Sequence, residues 1–194
     1  MHHRSIARTV VVAGLGAALA LPGAAFAQTF DHRDPAHDVQ HYHASDGTVS
    51  NAPHNKTADI TRTRLTYTKH HLESTIWVRS GSIPDSWLMA GTIHTTSDSY
   101  SWFGSTDSTG TAVFSLEDSS GTVTCDFSHD VAKAKGRITV TIPSSCLSKP
   151  RWVKAGAAYA LSKKNNDQLA DDGLQKRGLT ANATLALSPK LHHA

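Results

Sequence analysis

Between Asp31 and Asp46 the chain sets out Asp31, His32, Asp34, His37, Asp38, His41, His43 and Asp46, a concentration of imidazoles and carboxylates found nowhere else in its 194 residues. Two chemistries use such groups. Imidazole nitrogens bind Zn2+ or Cu2+, and His37, His41 and His43 form the set suited to that role. His41 and His43, two positions apart, share one face of an extended chain. Hard cations such as Ca2+ instead take several oxygen ligands at once. Asp34, Asp38 and Asp59, with Asp167, Asp171 or Asp172 from the far end of the chain, supply those oxygens if the first and last strands are neighbours. The spacing alone is not diagnostic, since neither a zinc-finger pattern nor a twelve-residue EF-hand loop occurs. His37 and His41, four apart, share a face only on a helix, and this stretch has no apolar helical period. A solvated histidine-rich segment is the competing reading.

Aromatic side chains offer a third chemistry, because exposed Trp and Tyr stack on sugar rings. Of Trp77, Trp87, Trp102 and Trp152, two are surface candidates. Trp77 lies opposite the Leu72, Ile76 and Val78 face of its run, and Trp87 follows the turn-like Pro84-Asp85-Ser86. Core packing is the alternative role for both. Catalysis has less to build on. Glu73 and Glu117 are the only glutamates, and there is no G-x-S-x-G, H-E-x-x-H or P-loop. His129 beside Asp130, and His94 near Asp98, are raw material for a hydrolase site assembled from loops with one of many serines. No catalytic residue is assigned.

Residues 1–27 read as a cleavable secretory signal peptide: basic Arg4 and Arg8, an apolar run from Val10 to Ala20, and Ala25-Phe26-Ala27 before the expected cut. The run is about a dozen residues long, short of the ~20 that a membrane-spanning helix needs. A secreted or cell-surface product without a retained membrane span is therefore expected. With Arg4 and Arg8 set aside, 17 basic side chains face 16 acidic ones, a balance of +1. Such a balance, with no basic block, does not suit a nucleic-acid partner. Cys125 and Cys146 are the only cysteines, and in an exported chain they are expected to form a disulfide. Closing a loop of that size is worth about 3 kcal/mol in the chain-entropy view.

These residues need elements to hold them. Positions 28–56 are polar, without apolar period, and read as an extended or irregular opening segment. From there to residue 190 the chain reads as a single domain of short strands rich in Thr, Val, Ile and aromatics. The runs are Ile60 to Thr68, Leu72 to Arg79, Leu88 to Thr95, Ser99 to Phe103, Ala112 to Glu117, Thr122 to Phe127, Arg137 to Ile142 and Ala157 to Ser162. Turn residues such as Ser80-Gly81, Thr109-Gly110 and Lys135-Gly136 separate them. Asp118 to Gly121 is the expected hairpin turn, and the Thr122 run is expected to pair with the Arg137 run. Lys163 to Gly178 reads as a solvated loop, and Leu179 to Leu187 as a last strand. The fold class is all-β, an antiparallel β-sandwich of jelly-roll or immunoglobulin-like type with one disulfide.

Asp59-Ile60-Thr61-Arg62, opening the first clear strand, and Cys146-Leu147-x-x-Pro150-Arg151-Trp152-Val153 resemble secreted bacterial β-sandwich proteins over Asp31 to Ser162. The architecture is similar to that of carbohydrate-binding modules. That resemblance implies a non-catalytic extracellular domain and carries no site residues with it. The expected function is a monomeric secreted binding module for a cell-envelope or environmental glycan, with a structural Ca2+. A secreted hydrolase and a Zn2+- or Cu2+-binding protein are the alternatives.

Overall fold

The structure, a computed structural model, describes residues 27–107, 109–163, 165–175 and 184–193. The signal peptide, except Ala27, lies outside them, as does residues 179–183 of the expected last strand; residues 184–187 are not in a strand. In chain order the strands are β1 (Gln28–Arg33), β2 (Gln40–Tyr42), β3 (Val49–Asn51), β4 (Ile60–Tyr67), β5 (His71–Val78), β6 (Leu88–His94), β7 (Ser99–Thr106), β8 (Ala112–Asp118), β9 (Gly121–Thr122), β10 (Ser128–Ala132), β11 (Arg137–Pro143), β12 (Trp152–Ser162), β13 (Gln168–Asp172) and β14 (Leu191–His192). They form two antiparallel sheets packed face to face, a β-sandwich. One sheet runs β1-β4-β5-β11-β10, and the other runs β3-β2-β13-β12-β6-β7-β8-β9, with β14 also paired to β12. Among the described residues no helix is long and apolar enough to cross a membrane.

Alternation along the strands builds the core. Leu65 and Tyr67 on β4, Leu72 and Ile76 on β5, and Ile138, Val140 and Ile142 on β11 are buried on the inner face of the five-stranded sheet. They meet Met89 and Ile93 of β6, Trp102 of β7, and Val153 and Tyr159 of β12. Each such side chain contributes on the order of 1.5–3 kcal/mol by leaving water. Gly91 on β6 makes room for the Trp102 indole, since a Cβ there would lie 2.1 Å from ring atoms.

Three expectations change. The opening segment is part of the sandwich: β1 pairs with β4, β2 with β13, and β3 with β2. Within the expected Lys163–Gly178 loop stands β13, paired with both β2 and β12. Thr122 to Phe127 is not a strand beyond Thr122, and the partner of β11 is β10. Val123, Cys125 and Phe127 do pack against the core on one side. Here the chain crosses from the larger sheet to the smaller, so alternate burial occurs without a hydrogen-bonded ladder. The disulfide Cys125–Cys146, with Cα atoms 5.9 Å apart, fastens this crossing to the 3-10 turn Ser144–Leu147 after β11. The expected hairpin is present, with Glu117 opposite Thr122 and Asp118 opposite Gly121.

Candidate metal centres and ligand groove

Pairing of β2 with β13 brings the two acidic ends of the chain together. One carboxylate oxygen from each of Asp34, Asp38 and Asp171 lies within 4.8 Å of the others. Asp34 follows β1, Asp38 precedes β2, and Asp171 sits on β13 opposite Tyr159 of β12, whose side chain is in the core. Asp34 and Asp171 are buried, and Asp38 is half-buried. Both oxygens of Asp34, both of Asp38 and Oδ1 of Asp171 are shielded from solvent and have no hydrogen-bond partner. Asp171 Oδ2 accepts the Ile60 N–H at 2.8 Å.

Buried acceptors without donors are costly, and buried like charges more so. Burial, then repulsion from Asp171 and Asp38, pushes Asp34 up to about 9. Burial, followed by the charge of Asp38, pushes Asp171 up to about 8. Asp38 is raised as well, again chiefly by burial. Three acids therefore resist ionisation as a group, while one oxygen from each converges on the others, five of their oxygens have no hydrogen-bond partner, and the one imidazole beside them among the described residues, His32, stays 3.9 Å from Asp34 Oδ1. Oxygen-only donors at close quarters suit Ca2+, which takes six to eight at about 2.3–2.6 Å.

Asp59 and Asp172 have other duties. Asp59 Oδ2 pairs with Arg79 Nη2 at 3.0 Å and accepts the His37 N–H at 2.9 Å, which leaves its buried Oδ1 unpartnered beside the cluster. Asp172 accepts the N–H groups of Leu174 and Ala186 and the amide of Gln175, and so ties the chain after β13 to the segment at 184–188.

The histidines divide. His37 adopts φ 78° and its ring faces Pro53 O at 2.7 Å and the Arg79 guanidinium, so it does not join His41 and His43. The third member of that group is Asp167, immediately before β13. His41 Nε2 stands 3.0 Å from Asp167 Oδ2, and His43 Nδ1 stands 3.7 Å from the same oxygen. The Ala44 N–H donates to Asp167 Oδ1 at 2.9 Å. That bond above all holds the Asp167 carboxyl below the ordinary range, against the opposing effect of burial. Comparison of the chain with family models, with curated proteins and with solved structures found no match.

The two tryptophans singled out as ligand platforms are placed differently from that expectation. Trp87 is 1% exposed, in the core against Phe114, and presents no surface. Trp77 is half-buried on the outer face of the five-stranded sheet, where the Arg62 guanidinium lies 4.8 Å from its ring centre and Arg64 5.8 Å away. Arg62 and Arg64 also grip Asp31, whose carboxyl they hold well below the usual range. Cation–π packing thus occupies part of the surface a sugar would need.

Two polar, charge-lined hollows flank Trp77, and a more apolar groove lies on the outer face of the nine-stranded sheet. It has a volume of about 500 Å3 and extends from Phe103 on β7 to Leu185. Phe103, 46% exposed, stands opposite Ala90, which stands opposite Ala158 on the next strand; Ala170 on β13 continues the low floor. Ser101, Ser115, Glu117 and Gln168 add polar groups. Nothing in the sequence reading assigned this groove. Its signal was present in β7, where Tyr100 and Trp102 alternate with Ser99, Ser101 and Phe103.

Of the histidine–aspartate pairs considered for hydrolysis, His129 and Asp130 are engaged structurally, whereas His94 is exposed. The His129 ring packs 4.6 Å from Phe114, and Asp130 pairs with Arg137. Asp98 closes a turn, its N–H donating to Thr95 Oγ1 at 2.9 Å.

Proposed function

We propose that this chain is a secreted, non-catalytic binding module whose opening segment is fastened to the sandwich by a structural Ca2+. The observation that carries this reading is the set of five buried, unpartnered oxygens on Asp34, Asp38 and Asp171. Ca2+ would accept them as ligands, neutralise most of their charge and join the β1–β2 connection to β13. The groove with Phe103 supports the binding role. An aromatic ring beside hydroxyl, carboxylate and amide groups offers a sugar both an apolar face and hydrogen-bond partners. A cell-envelope or environmental glycan is the ligand class that fits.

Calorimetric titration of the chelated protein with Ca2+ tests the metal, with one equivalent expected and the binding lost in Asp34→Asn and Asp171→Asn. The absence of Ca2+ uptake, or uptake unchanged in both variants, would discard it. Glycan-array binding tests the surface. Phe103→Ala should abolish the signal while Trp77→Ala leaves it, and the reverse pattern would move the site to the other sheet.

A further inference from the structure

Besides the oxygen cluster, we infer that His41, His43 and Asp167 form a second metal site of different chemistry, one that takes Zn2+ through two imidazole nitrogens and one carboxylate oxygen. The site does not depend on the calcium reading. It is built from different side chains, and nitrogen donors favour borderline transition ions over Ca2+.

Geometry is the first argument. Tetrahedral Zn2+ with bonds of about 2.0–2.1 Å sets its ligand atoms about 3.3 Å apart. His41 Nε2 and His43 Nδ1 lie 3.0 and 3.7 Å from Asp167 Oδ2, a pair of distances that brackets this spacing. The two imidazoles are already side by side, with ring centres 4.0 Å apart. One donor atom from each of the three residues lies within 4.8 Å of the other two.

The support around the donors is the second argument. A metal-bound imidazole generally uses its other nitrogen to reach an orienting partner. His43 Nε2 meets Ser50 Oγ at 3.0 Å, which leaves Nδ1 for the metal. Asp167 Oδ1 is occupied by the Ala44 N–H, which leaves Oδ2 as the ligand atom. Ser50 is on β3 opposite His41, and His43 and Ala44 open the turn that follows β2, so the β2–β3 hairpin and its turn supply two ligands and both supports. The remaining ligand arrives from β13's leading edge.

Exposure is the third. The side chains of His41, His43 and Asp167 are 18%, 32% and 7% exposed, so the carboxylate is enclosed while the imidazoles reach the surface. Three protein ligands at an accessible edge leave a fourth position for water or a ligand atom. Among the described residues one group opposes the ion: Lys163 Nζ lies 3.5 Å from His41 Nε2. Its side chain is at the surface and must swing outward when metal enters, so its charge lowers the affinity without blocking the site.

The test is a titration of the full protein with Zn2+, and with Co2+ as a spectroscopic probe, in saturating Ca2+. Expected are one equivalent of Zn2+, Co2+ absorption of tetrahedral type, and loss of both in His43→Ala and in His41→Ala. Ser50→Ala should weaken Zn2+ by about 10–100-fold, the usual effect of removing a group that only orients a ligand. Removing a ligand should cost more than that, Lys163→Met should tighten binding, and His37→Ala should leave it unchanged. Far-UV circular dichroism confirms that each variant is folded, and His43→Ala alone decides if His41→Ala is not. Zn2+ uptake that persists in His43→Ala and weakens in His37→Ala would overturn the assignment, as would no uptake at all. Failure of Ca2+ binding with Zn2+ binding intact would count against the calcium reading only.

Discussion

Stripping divalent cations with a chelator should leave a protein that loses stability as the pH rises, opposite to the acid sensitivity of most folds. In the unfolded chain Asp34 and Asp171 titrate near 3.8, whereas in the folded chain they are pushed up to about 9 and about 8. The native state therefore holds protons that the unfolded state has released. Stability from this source is fully present below the unfolded value and is lost as the pH rises through the folded values. The three carboxylates share one environment, so we count a single extra proton retained by the native state between pH 5 and 7. One proton corresponds to about 1.4 kcal/mol per pH unit, or about 3 kcal/mol over the interval. For a domain of this size, 1 kcal/mol moves Tm by about 2–4 °C, which gives a fall of about 6–12 °C. Saturating Ca2+ reverses the sense, because it binds the ionised carboxylates and gains affinity as protons leave. The assay is thermal unfolding followed by tryptophan fluorescence at pH 5, 6, 7 and 8, with chelator or with Ca2+. A chelated protein whose Tm is flat or rising from pH 5 to 7, or equal slopes in both series, would refute the reasoning.

Other outcomes follow from single features of the fold. Replacing both cysteines with serine should lower the urea-derived stability by about 3 kcal/mol, because the bridge closes a separation of 21 residues. Trp87→Ala should cost about 3–5 kcal/mol in the same measurement, as expected for an emptied core site, since the indole is 1% exposed. Gly156→Ala should destabilise by about 1–3 kcal/mol, the range for inserting a methyl where there is no room. Its new Cβ would lie 2.0 Å from Ala186 O, so the 184–188 segment must shift, and hydrogen exchange of the Ser188 amide, bonded to Ala155 O, should report that shift.

The sandwich itself was legible where side chains alternate apolar with polar: β4, β5, β6, β11 and the β8–β9 hairpin lie where the pattern puts them. It was not legible at β13. There Leu169 is the only large apolar side chain between Asp167 and Asp171, so a buried strand has the composition of a solvated loop. The same property hid β1 and β2: Phe30 is the only apolar side chain of β1 packed against the core, and β2 is Gln40-His41-Tyr42 with no aliphatic residue. Thr122 to Phe127 failed in the opposite sense, because one-sided burial produced the strand pattern in a crossing segment. The metal-ligating residue types could be picked out by eye, but their partition into sets could not. Asp167 goes to the histidines and Asp171 to the other aspartates because β2 pairs with β13 in one register, Leu169 opposite His41. Trp87 was misplaced because a residue just after a turn can still turn inward.

The register of β2 on β13 also sets when the molecule can be finished. His41 and Asp167 are 126 positions apart, and Ile60 reaches Asp171 across 111. Contacts of that range form late, after local hairpins such as β6–β7 and β7–β8. Until β13 emerges, a growing chain carries Asp34, Asp38 and Asp59 with no carboxylate from the far end beside them, and the β2–β3 hairpin has no sheet edge to join, although β1 can already pair with β4. Capture of the proposed Ca2+ would then be a signal of completion: a chain cut short before Asp171 would lack the final ligand, leave the β2–β3 hairpin unanchored, and be marked for proteolysis by that looseness.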